Sequence, residues 1–565
     1  MHLTIGVTGH RDLVADEVPA LKEKVRDFFV QLKTEFPDLD LQLITPLAEG
    51  SDRLVADIAL EVGARLIVPL PMPQADYERD FSSPAAVEAF RRSLKDARVI
   101  NLRMLPEAQG QPMTESIRDR QYAQLGIFIS NHSQVLLALW DGKRSDATGG
   151  TSGVVSYHLT GIMPGYSMAD DSPNLLAENE NDLVYHIVCS RGRPDGSPRE
   201  DLQALQTVWI TAHWGFESGD SMPLDYQVTL HRLQDYGRDI AKYRSRIEME
   251  GVDLLENAPD LELPVGTRTI SEQHRIADWL AIHFQKRISA GLIAIHIIGV
   301  VIGLIFILYS EIDGLDFLVN FFLLAFLVGL VLYKIGERRQ WHRKHLDYRA
   351  LAEGLRVQFY WSLAGVIDVQ SAEFAYDNFL QKQDVDLEWI RHVMRNVSLA
   401  RSRDNVPMTA WVDWVIEQWI GDESGGSGQL SYYRRKEKEK AARFRLTTTL
   451  GKVTLWVGIL IAIILSVAGS DMTGTQQKTL LILMGIFPLI AGIRDAYSYK
   501  KAEKELIKQY RFMSGVLANA RRLLDSSDDP EFRRRVLRAL GNAALEEDAE
   551  WILMHRERPL EHSGF

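Results

Sequence analysis

Hydrophobic positions are distributed in two distinct ways along this chain. Over residues 1–265, short apolar runs alternate with longer stretches in which apolar residues recur at helical spacing. Leu3–Val7, Leu41–Thr45, Arg65–Pro69, Val99–Leu102 and Val135–Ala138 read as strands, and Glu17–Phe36, Ser51–Val62 and Ala86–Lys95 as helices between them. Fully apolar strands alternating with helices predict an α/β fold, a doubly wound and mostly parallel sheet covered on both faces. Val184–Val188 reads as a further strand and Asp225–Glu250 as a charged helix, after which Pro264 and Gly266 close the soluble domain.

Beyond that point the apolar residues are concentrated. Ile288–Tyr309 is 22 residues without Asp, Glu, Lys or Arg, enough to cross about 30 Å of hydrocarbon at about 1.5 Å per residue. Phe317–Tyr333 and Val453–Ser470 are shorter and equally free of charge, while Thr479–Ile493 is a minimal span carrying Gly485, Pro488 and Gly492. These segments form a repeat. Tyr348 and Tyr510 are 162 positions apart, as are Leu355 and Leu517, and Trp389 and Trp551. The same shift carries each span of the first pair onto one of the second. A unit of two spans and a polar helical tail therefore occurs twice, at residues 266–420 and 431–565. A Gly/Ser-rich linker at 421–430 joins them. The tails, Glu337–Gly365 and Tyr499–Leu524, are expected to extend the spans and pack together; Trp411, Trp414 and Trp419 are expected in core or interfacial contacts.

The flanking charge gives an orientation. Lys286 and Arg287 precede the first span, Arg338 and Arg339 follow the second, Arg434, Arg435 and Lys436 precede the third, and Arg494, Lys500 and Lys501 follow the fourth. The hairpin loops Ser310–Asp316 and Asp471–Lys478 hold a single Lys between them. Positive charge stays in the cytoplasm, so both termini of this multi-pass chain are expected there. Within the spans, Gly299 and Gly303 make a face for close helix approach. Glu311, Asp313, Asp316 and Asp471 are expected in the outer loops, where a ring of carboxylates in an oligomer favours cations and where short exposed loops also ordinarily carry polar residues. His296 lies mid-span, either as a functional ionisable group or as a neutral ring bonded to a neighbouring helix. Pro488 interrupts the last span.

Composition adds limits. The net charge of −12 argues against nucleic acid as a main partner. One cysteine, Cys189, excludes an internal disulfide. Met1-His2-Leu3-Thr4 lacks a basic segment before an apolar core, so no cleaved signal is expected. No metal-ligand set is read.

Candidate chemistry lies at the carboxyl ends of the strands, where ligands bind in open α/β sheets. The first strand runs into Thr8-Gly9-His10-Arg11-Asp12, and the second into Glu49-Gly50-Ser51-Asp52-Arg53, where Ser51 or Asp52 is placed to cap the next helix. The strand through Trp140 ends at Asp141, and Gly149-Gly150-Thr151-Ser152 then leads into a helix expected from Val154. Glycines let backbone amides approach an anion, and a helix N-terminus adds partial positive charge. Glu49 and Asp141 are candidates for ribose hydroxyls, and Arg11 and Arg53 for phosphate. Each segment alone is an ordinary turn; three at consistent strand ends suggest a nucleotide-type pocket. His10-Arg11-Asp12-Leu13 imitates a kinase catalytic loop, but Glu17 stands where that motif needs Asn, and no Asp-Phe-Gly follows. The glycine loop lacks the Gly-Lys-Ser/Thr of a phosphate-binding NTPase loop.

The segments Gly6–Asp12, Leu47–Arg53 and Trp140-Asp141 with Gly149–Ser152 resemble the SLOG superfamily, whose members sense or process nucleotide-derived ligands. The repeated two-span unit with its Tyr-Arg and Trp-Ile tail resembles the SLATT class of two-transmembrane effectors in bacterial conflict systems. SLOG enzymes that hydrolyse nucleoside monophosphates carry Gly-Gly-x-Gly-Thr-x-x-Glu. Here the loop continues Gly153-Val154-Val155 without the glutamate, which favours binding over hydrolysis. The resemblance implies a Rossmann-like SLOG sensor at residues 1–265 and a homo-oligomeric effector in a bacterial inner membrane, active in antiphage defence. The ligand would be a cyclic nucleotide or an ADP-ribose-like messenger made by a separate enzyme, with no other cofactor required; opening of the membrane module would disrupt the bilayer. A membrane-anchored enzyme cleaving a nucleotide or N-glycosidic bond is the alternative.

Overall fold

In a computed structural model, residues 1–105, 108, 113–145, 148–166, 183–212, 217–264, 266–366, 387–399, 409–422 and 428–556 are described. Two compact units are present. One contains residues 1–248, 264–270 and 367–405; the other contains 249–263, 271–366 and 406–565.

The first unit is built on strands β1 (His2–Gly9), β2 (Asp40–Ile44), β3 (Arg65–Leu70), β4 (Arg98–Asn101), β5 (Val135–Trp140), β6 (Val184–Val188), β7 (Thr207–Thr211) and β8 (Glu217–Gly219). Their order is β4-β3-β2-β1-β5-β6-β7-β8. Pairing is parallel from β4 to β6, then antiparallel through β7 and β8. The chain winds outward from β1 to one side through β2–β4, then returns to place β5 on the other. The strand order therefore reverses between β1 and β5.

Helices α1 (Val18–Glu35), α2 (Ser51–Glu61), α3 (Gln74–Tyr77), α4 (Pro84–Leu94), α5 (Glu115–Asn131), α6 (Thr151–Thr160) and α7 (Leu224–Glu250) complete this part. α1 buries Leu21, Val25, Phe28, Phe29 and Leu32, a stripe at spacings of three and four. Each such burial contributes about 1.5–3 kcal/mol. Phe28 stacks on Tyr185 of β6 at 4.5 Å. On the opposite face, Ala123, Leu125 and Ile129 of α5 and Val154 and Leu159 of α6 pack with Leu136, Ala138 and Val184. Adjacent residues Val184 and Tyr185 thus serve opposite faces, as strand alternation requires. α5 and the antiparallel pair β7–β8 were not legible in the sequence, and α6 starts at Thr151, three residues before its expected start. Cys189 is buried.

α11 (Glu388–Ser398) belongs to this unit, with Trp389 fully buried against Tyr236 of α7.

The second unit contains four helices long and apolar enough to cross a membrane, and at most 17% of any apolar window is buried. α8 (Thr267–Glu311) and α9 (Leu318–Arg339) form the first hairpin, and α13 (Gly428–Ala468) and α14 (Gly474–Lys500) the second. α10 (Trp341–Ala364), α12 (Thr409–Val415), α15 (Glu503–Asp525) and α16 (Pro530–Arg556) are mostly polar or mixed. Residues 423–427 of the expected linker lie outside the described residues.

The tails do not simply prolong the spans. Gln340 (φ 48°) and Ala502 (φ 47°) take left-handed conformations that break α9 from α10 and α14 from α15. These positions are 162 residues apart, so the repeat extends to backbone conformation. Both breaks use the same bonds: the left-handed residue's N–H donates three residues back, to Glu337 or Tyr499, and its carbonyl accepts from four residues ahead, Lys344 or Leu506. A left-handed L-residue costs about 1–2 kcal/mol; the continued hydrogen bonding and the burial of α10 offset it. Trp361 of α10 donates its indole N–H to the Leu537 carbonyl of α16 at 2.9 Å. Trp411 and Trp419 are buried, and Tyr360 stacks on Trp419 at 5.1 Å.

Candidate functional site

The carboxyl end of β1 supplies the centre. Gly9 is pressed between α2 and β5: a Cβ there would lie 2.4 Å from Ser51 Cβ and 3.0 Å from the Leu139 carbonyl oxygen. The Ser51 hydroxyl and backbone N–H both donate to the His10 carbonyl, at 2.8 and 3.1 Å. Gly50 is the residue before α2, with φ +82°. Neither Ser51 nor Asp52 acts as its cap, because Ser51 is drawn to His10 and Asp52 turns back to accept from Ala48 N–H at 3.3 Å.

His10 and Asp141 meet across the reversal between β1 and β5. The Asp141 backbone N–H donates to His10 Nε2 at 3.1 Å, and Asp141 Oδ1 lies 3.2 Å from the same nitrogen. A ring nitrogen that accepts from an amide carries no proton, so the imidazole is neutral with its hydrogen on Nδ1. Burial agrees, holding the His10 pKa below the usual histidine value despite the neighbouring Asp141 carboxylate. Asp141 is itself buried and also accepts from Lys143 N–H at 3.0 Å. Thr8 is buried within β1.

A cationic and aromatic margin surrounds this centre. Arg11 is exposed, its guanidinium 5.5 Å from the centre of the Tyr122 ring. Among the described residues no carboxylate lies within ion-pair distance of it. Arg53 lies 4.7 Å over the Phe81 ring, donates Nε–H to the Leu47 carbonyl at 3.2 Å, and keeps Nη2 buried without a partner. Between them Asp52 is buried, and desolvation pushes its carboxyl up to about 7, against the pull of Arg11. Leu47 has φ +59°, an unusual conformation for a branched side chain.

The remaining candidates are more committed. The Glu49 carboxylate accepts from Ser82 N–H and, at 2.7 Å, from the Ser82 hydroxyl, and so ties α2 to the loop before α4. Asp12 is held by Arg191 Nε at 2.9 Å, and Gly192 N–H donates to its carbonyl. Neither Glu49 nor Asp141 therefore presents the free carboxylate expected for ribose. Gly149 (φ +76°) lies against α5, a Cβ there falling 2.6 Å from Ala123 N and 2.9 Å from Tyr122 C. Gly150 precedes α6, and Ser152 Oγ accepts from Ser145 N–H at 3.3 Å. The three loops thus share Tyr122 as a neighbour: Arg11 directly, Gly149 through its backbone, and the α3–α4 segment through Asp80, which accepts from the Tyr122 hydroxyl at 2.5 Å. Tyr122, Asp80, Phe81 and Arg118, which pairs with Asp80, went unread in the sequence. The usable signal was the polar amino-terminal half of α5 ahead of its apolar half.

In the second unit, Gly299 and Gly303 are where α14 approaches α8. A Cβ at Gly303 would meet the Leu489 side chain at 2.5 Å, and one at Gly299 the Ile493 side chain at 3.7 Å. A Cβ at Gly458 of α13 would likewise lie 2.9 Å from Pro488 Cδ. His296 Nδ1–H donates to its own helix at Leu292 O, 2.8 Å, with the ring edge-on to Tyr497. The ring's hydrogen bond is thus within its own helix, and its aromatic contact is to Tyr497 of the other repeat. Among the hairpin-loop acids, Asp313 pairs with Lys478 at 2.6 Å and so joins the two hairpins. Glu311, Asp316 and Asp471 are not brought together with it in any ion pair among the described residues.

Comparison with protein families, with curated proteins and with solved structures finds no match for this chain.

Proposed function

We propose that the first unit is a SLOG-like receptor for a nucleotide-derived anionic messenger, and that its occupancy controls a membrane-disrupting state of the four-helix unit. The observation that carries this reading is the convergence of Gly9, Gly50, neutral His10 and exposed Arg11 beside the β1/β5 reversal, the place where open α/β sheets bind ligands. Arg11 supplies a cation for phosphate, the Tyr122 and Phe81 rings offer apolar surface for a base, and the glycines admit backbone donors. Four apolar helices on the same chain supply an output. The proposal places the protein in a bacterial inner membrane with cytoplasmic termini, acting as a homo-oligomer in phage defence. Four spans enclose little space alone, so a conducting state needs several copies. A nearly complete switch requires the messenger to prefer the open state by about 5.5 kcal/mol.

The test is release of ions and dye from vesicles carrying the full chain, challenged with cyclic nucleotides and with ADP-ribose derivatives. Release with one of them, lost in Arg11→Ala and Arg53→Ala while insertion persists, is the expected result. Vesicles that stay sealed while the nucleotide is consumed would replace the receptor with an anchored hydrolase.

A further inference from the structure

The two repeats share helices, breaks and aromatic anchors, but one feature belongs to the second alone. In α13 the residues before the span carry Lys440, Arg443, Arg445 and Lys452; 162 positions earlier stand Asp278, Ala281, His283 and Ala290. The flank ahead of the first span therefore has Lys286 and Arg287 as its near cations, while the flank ahead of the third is polybasic; the first repeat's other cations, Lys334, Arg338, Arg339, Arg343 and Lys344, follow its second span. An orientation rule asks for a few flanking cations, which Lys286, Arg287, Arg338 and Arg339 already supply in the first repeat. The surplus has no explanation there.

Packing concentrates this charge. α13 and α14 lie against one another, and the end of α14 adds Arg494 and Lys501 to the same side. Arg494 crosses to α13, donating to Thr447 Oγ1 at 2.9 Å and to Thr448 Oγ1 at 2.5 Å, with its guanidinium 5.4 Å from the Phe444 ring. Lys440 and Lys501 are close enough to repel one another. Among the described residues, none of Lys440, Arg443, Arg445, Lys452 or Lys501 is in an ion pair. Arg443, Arg445 and Lys452 are exposed. The depth is marked too: exposed Leu446 and Leu450 are interleaved with these cations, and exposed Trp456 follows one turn after Lys452. Cations interleaved with apolar side chains and an exposed tryptophan mark the headgroup level, where lysine and arginine snorkel and tryptophan rings sit.

We propose that the paired ends of α13 and α14 form a binding surface for the phosphates of anionic phospholipid headgroups, a surface the first repeat lacks. It rests on the four helices spanning a bilayer, and it is independent of what the sheet domain binds. Arg494 is paired with Asp495 at 2.6 Å, but the other cations, outside any ion pair among the described residues, repel one another until an anion sits among them, and a lipid phosphate reaches them at the depth they occupy. The second repeat is thereby anchored by lipid charge while the first is not.

The test uses the full-length protein in nanodiscs of phosphatidylcholine mixed with phosphatidylglycerol, with the lipids retained on release counted by native mass spectrometry. Retained lipid should be enriched in phosphatidylglycerol by at least about tenfold, since each cation near an anionic surface contributes about fivefold. The variant K440Q/R443Q/R445Q/K501Q should lose the enrichment. K440R/R443K/R445K/K501R should keep it, as should K286Q/R287Q/R338Q/R339Q, which removes as many charges from the first repeat. Absence of enrichment in the natural sequence, its survival in the first variant, or its equal loss in the last would overturn the proposal. So would displacement of the lipid by millimolar inorganic phosphate, which would make this a site for soluble anions. Resistance to carbonate extraction from pure phosphatidylcholine vesicles separates the premises. Protein that is extracted refutes the spans and this surface together; protein that stays inserted without lipid preference refutes the surface alone.

Discussion

Gly50 and Gly63 bracket α2 and offer a matched experiment on the candidate site. Their φ angles are nearly identical, +82° and +79°, so alanine incurs similar backbone strain at both. Their surroundings differ. A Cβ at Gly63 meets only the Lys33 ammonium at 3.9 Å, whereas at Gly50 it meets Arg11 O at 2.4 Å, Arg11 Cα at 2.6 Å and His10 O at 2.6 Å. All three contacts at Gly50 are backbone, which cannot rotate away as a side chain can. Left-handed strain costs about 1–2 kcal/mol, partly offset by about 0.4–1 kcal/mol from restricting the unfolded chain. Gly63→Ala should therefore cost about 1 kcal/mol. Gly50→Ala adds overpacking of about 1–3 kcal/mol, for a total of about 3 kcal/mol. In a unit of this size each kcal/mol lowers Tm by roughly 2–4 °C. Thermal unfolding of the full chain, followed as loss of the β-sheet amide I band that arises from the first unit, should show a fall of roughly 6–12 °C for Gly50→Ala and roughly 2–4 °C for Gly63→Ala. Equal shifts would mean that the β1 and β2 loops are not pressed together as described, and the geometry assigned to the site would fail.

Asp52 gives a prediction in pH. Its folded pKa, raised by burial to about 7 from an ordinary 3.8, means the folded state binds the proton more tightly than the unfolded state. Stability from this group is fully present below pH about 4 and is lost as pH rises to about 7. Asp52→Asn should remove that decline; a difference in Tm between the two proteins that stays constant from pH 4.5 to 8 would refute it. Gly541 faces the Trp361 indole, with a Cβ placed 2.3 Å from Nε1. Gly541→Ala should destabilise the α10–α16 pairing by about 1–3 kcal/mol, seen as faster amide exchange in both helices and unchanged exchange in β1–β5.

The boundaries of the first sheet were largely legible because buried parallel strands are continuous apolar runs: Val184–Val188 and Val135–Ala138 fall inside β6 and β5. The antiparallel edge was not, since β7 and β8 are short and only partly buried. α5 escaped notice because its polar first half and apolar second half blur any single periodic stripe, and Tyr122 was lost with it. Glu49 and Asp141 could be named from strand ends, but the bonds that occupy them could not, because Ser82 is brought to Glu49 only by folding and the Lys143 N–H bond to Asp141 depends on the turn taken after β5.

Duplication, span length and flanking charge are properties of the linear chain, since they depend on how many apolar residues follow one another and where cations stop. The amino-acid order therefore determines two hairpins of membrane-length helices behind an α/β domain. Whether a given cation or carboxylate is free depends on what the fold sets beside it. Only the tertiary structure decides that His10 is a neutral acceptor beside Asp141, that Arg11 makes no ion pair among the described residues, and that Gln340 and Ala502 break their helices alike. In those outcomes burial and hydrogen-bond geometry outweigh local preference: His10 meets a residue 131 positions away, and the two helix breaks keep bonds three residues back and four ahead.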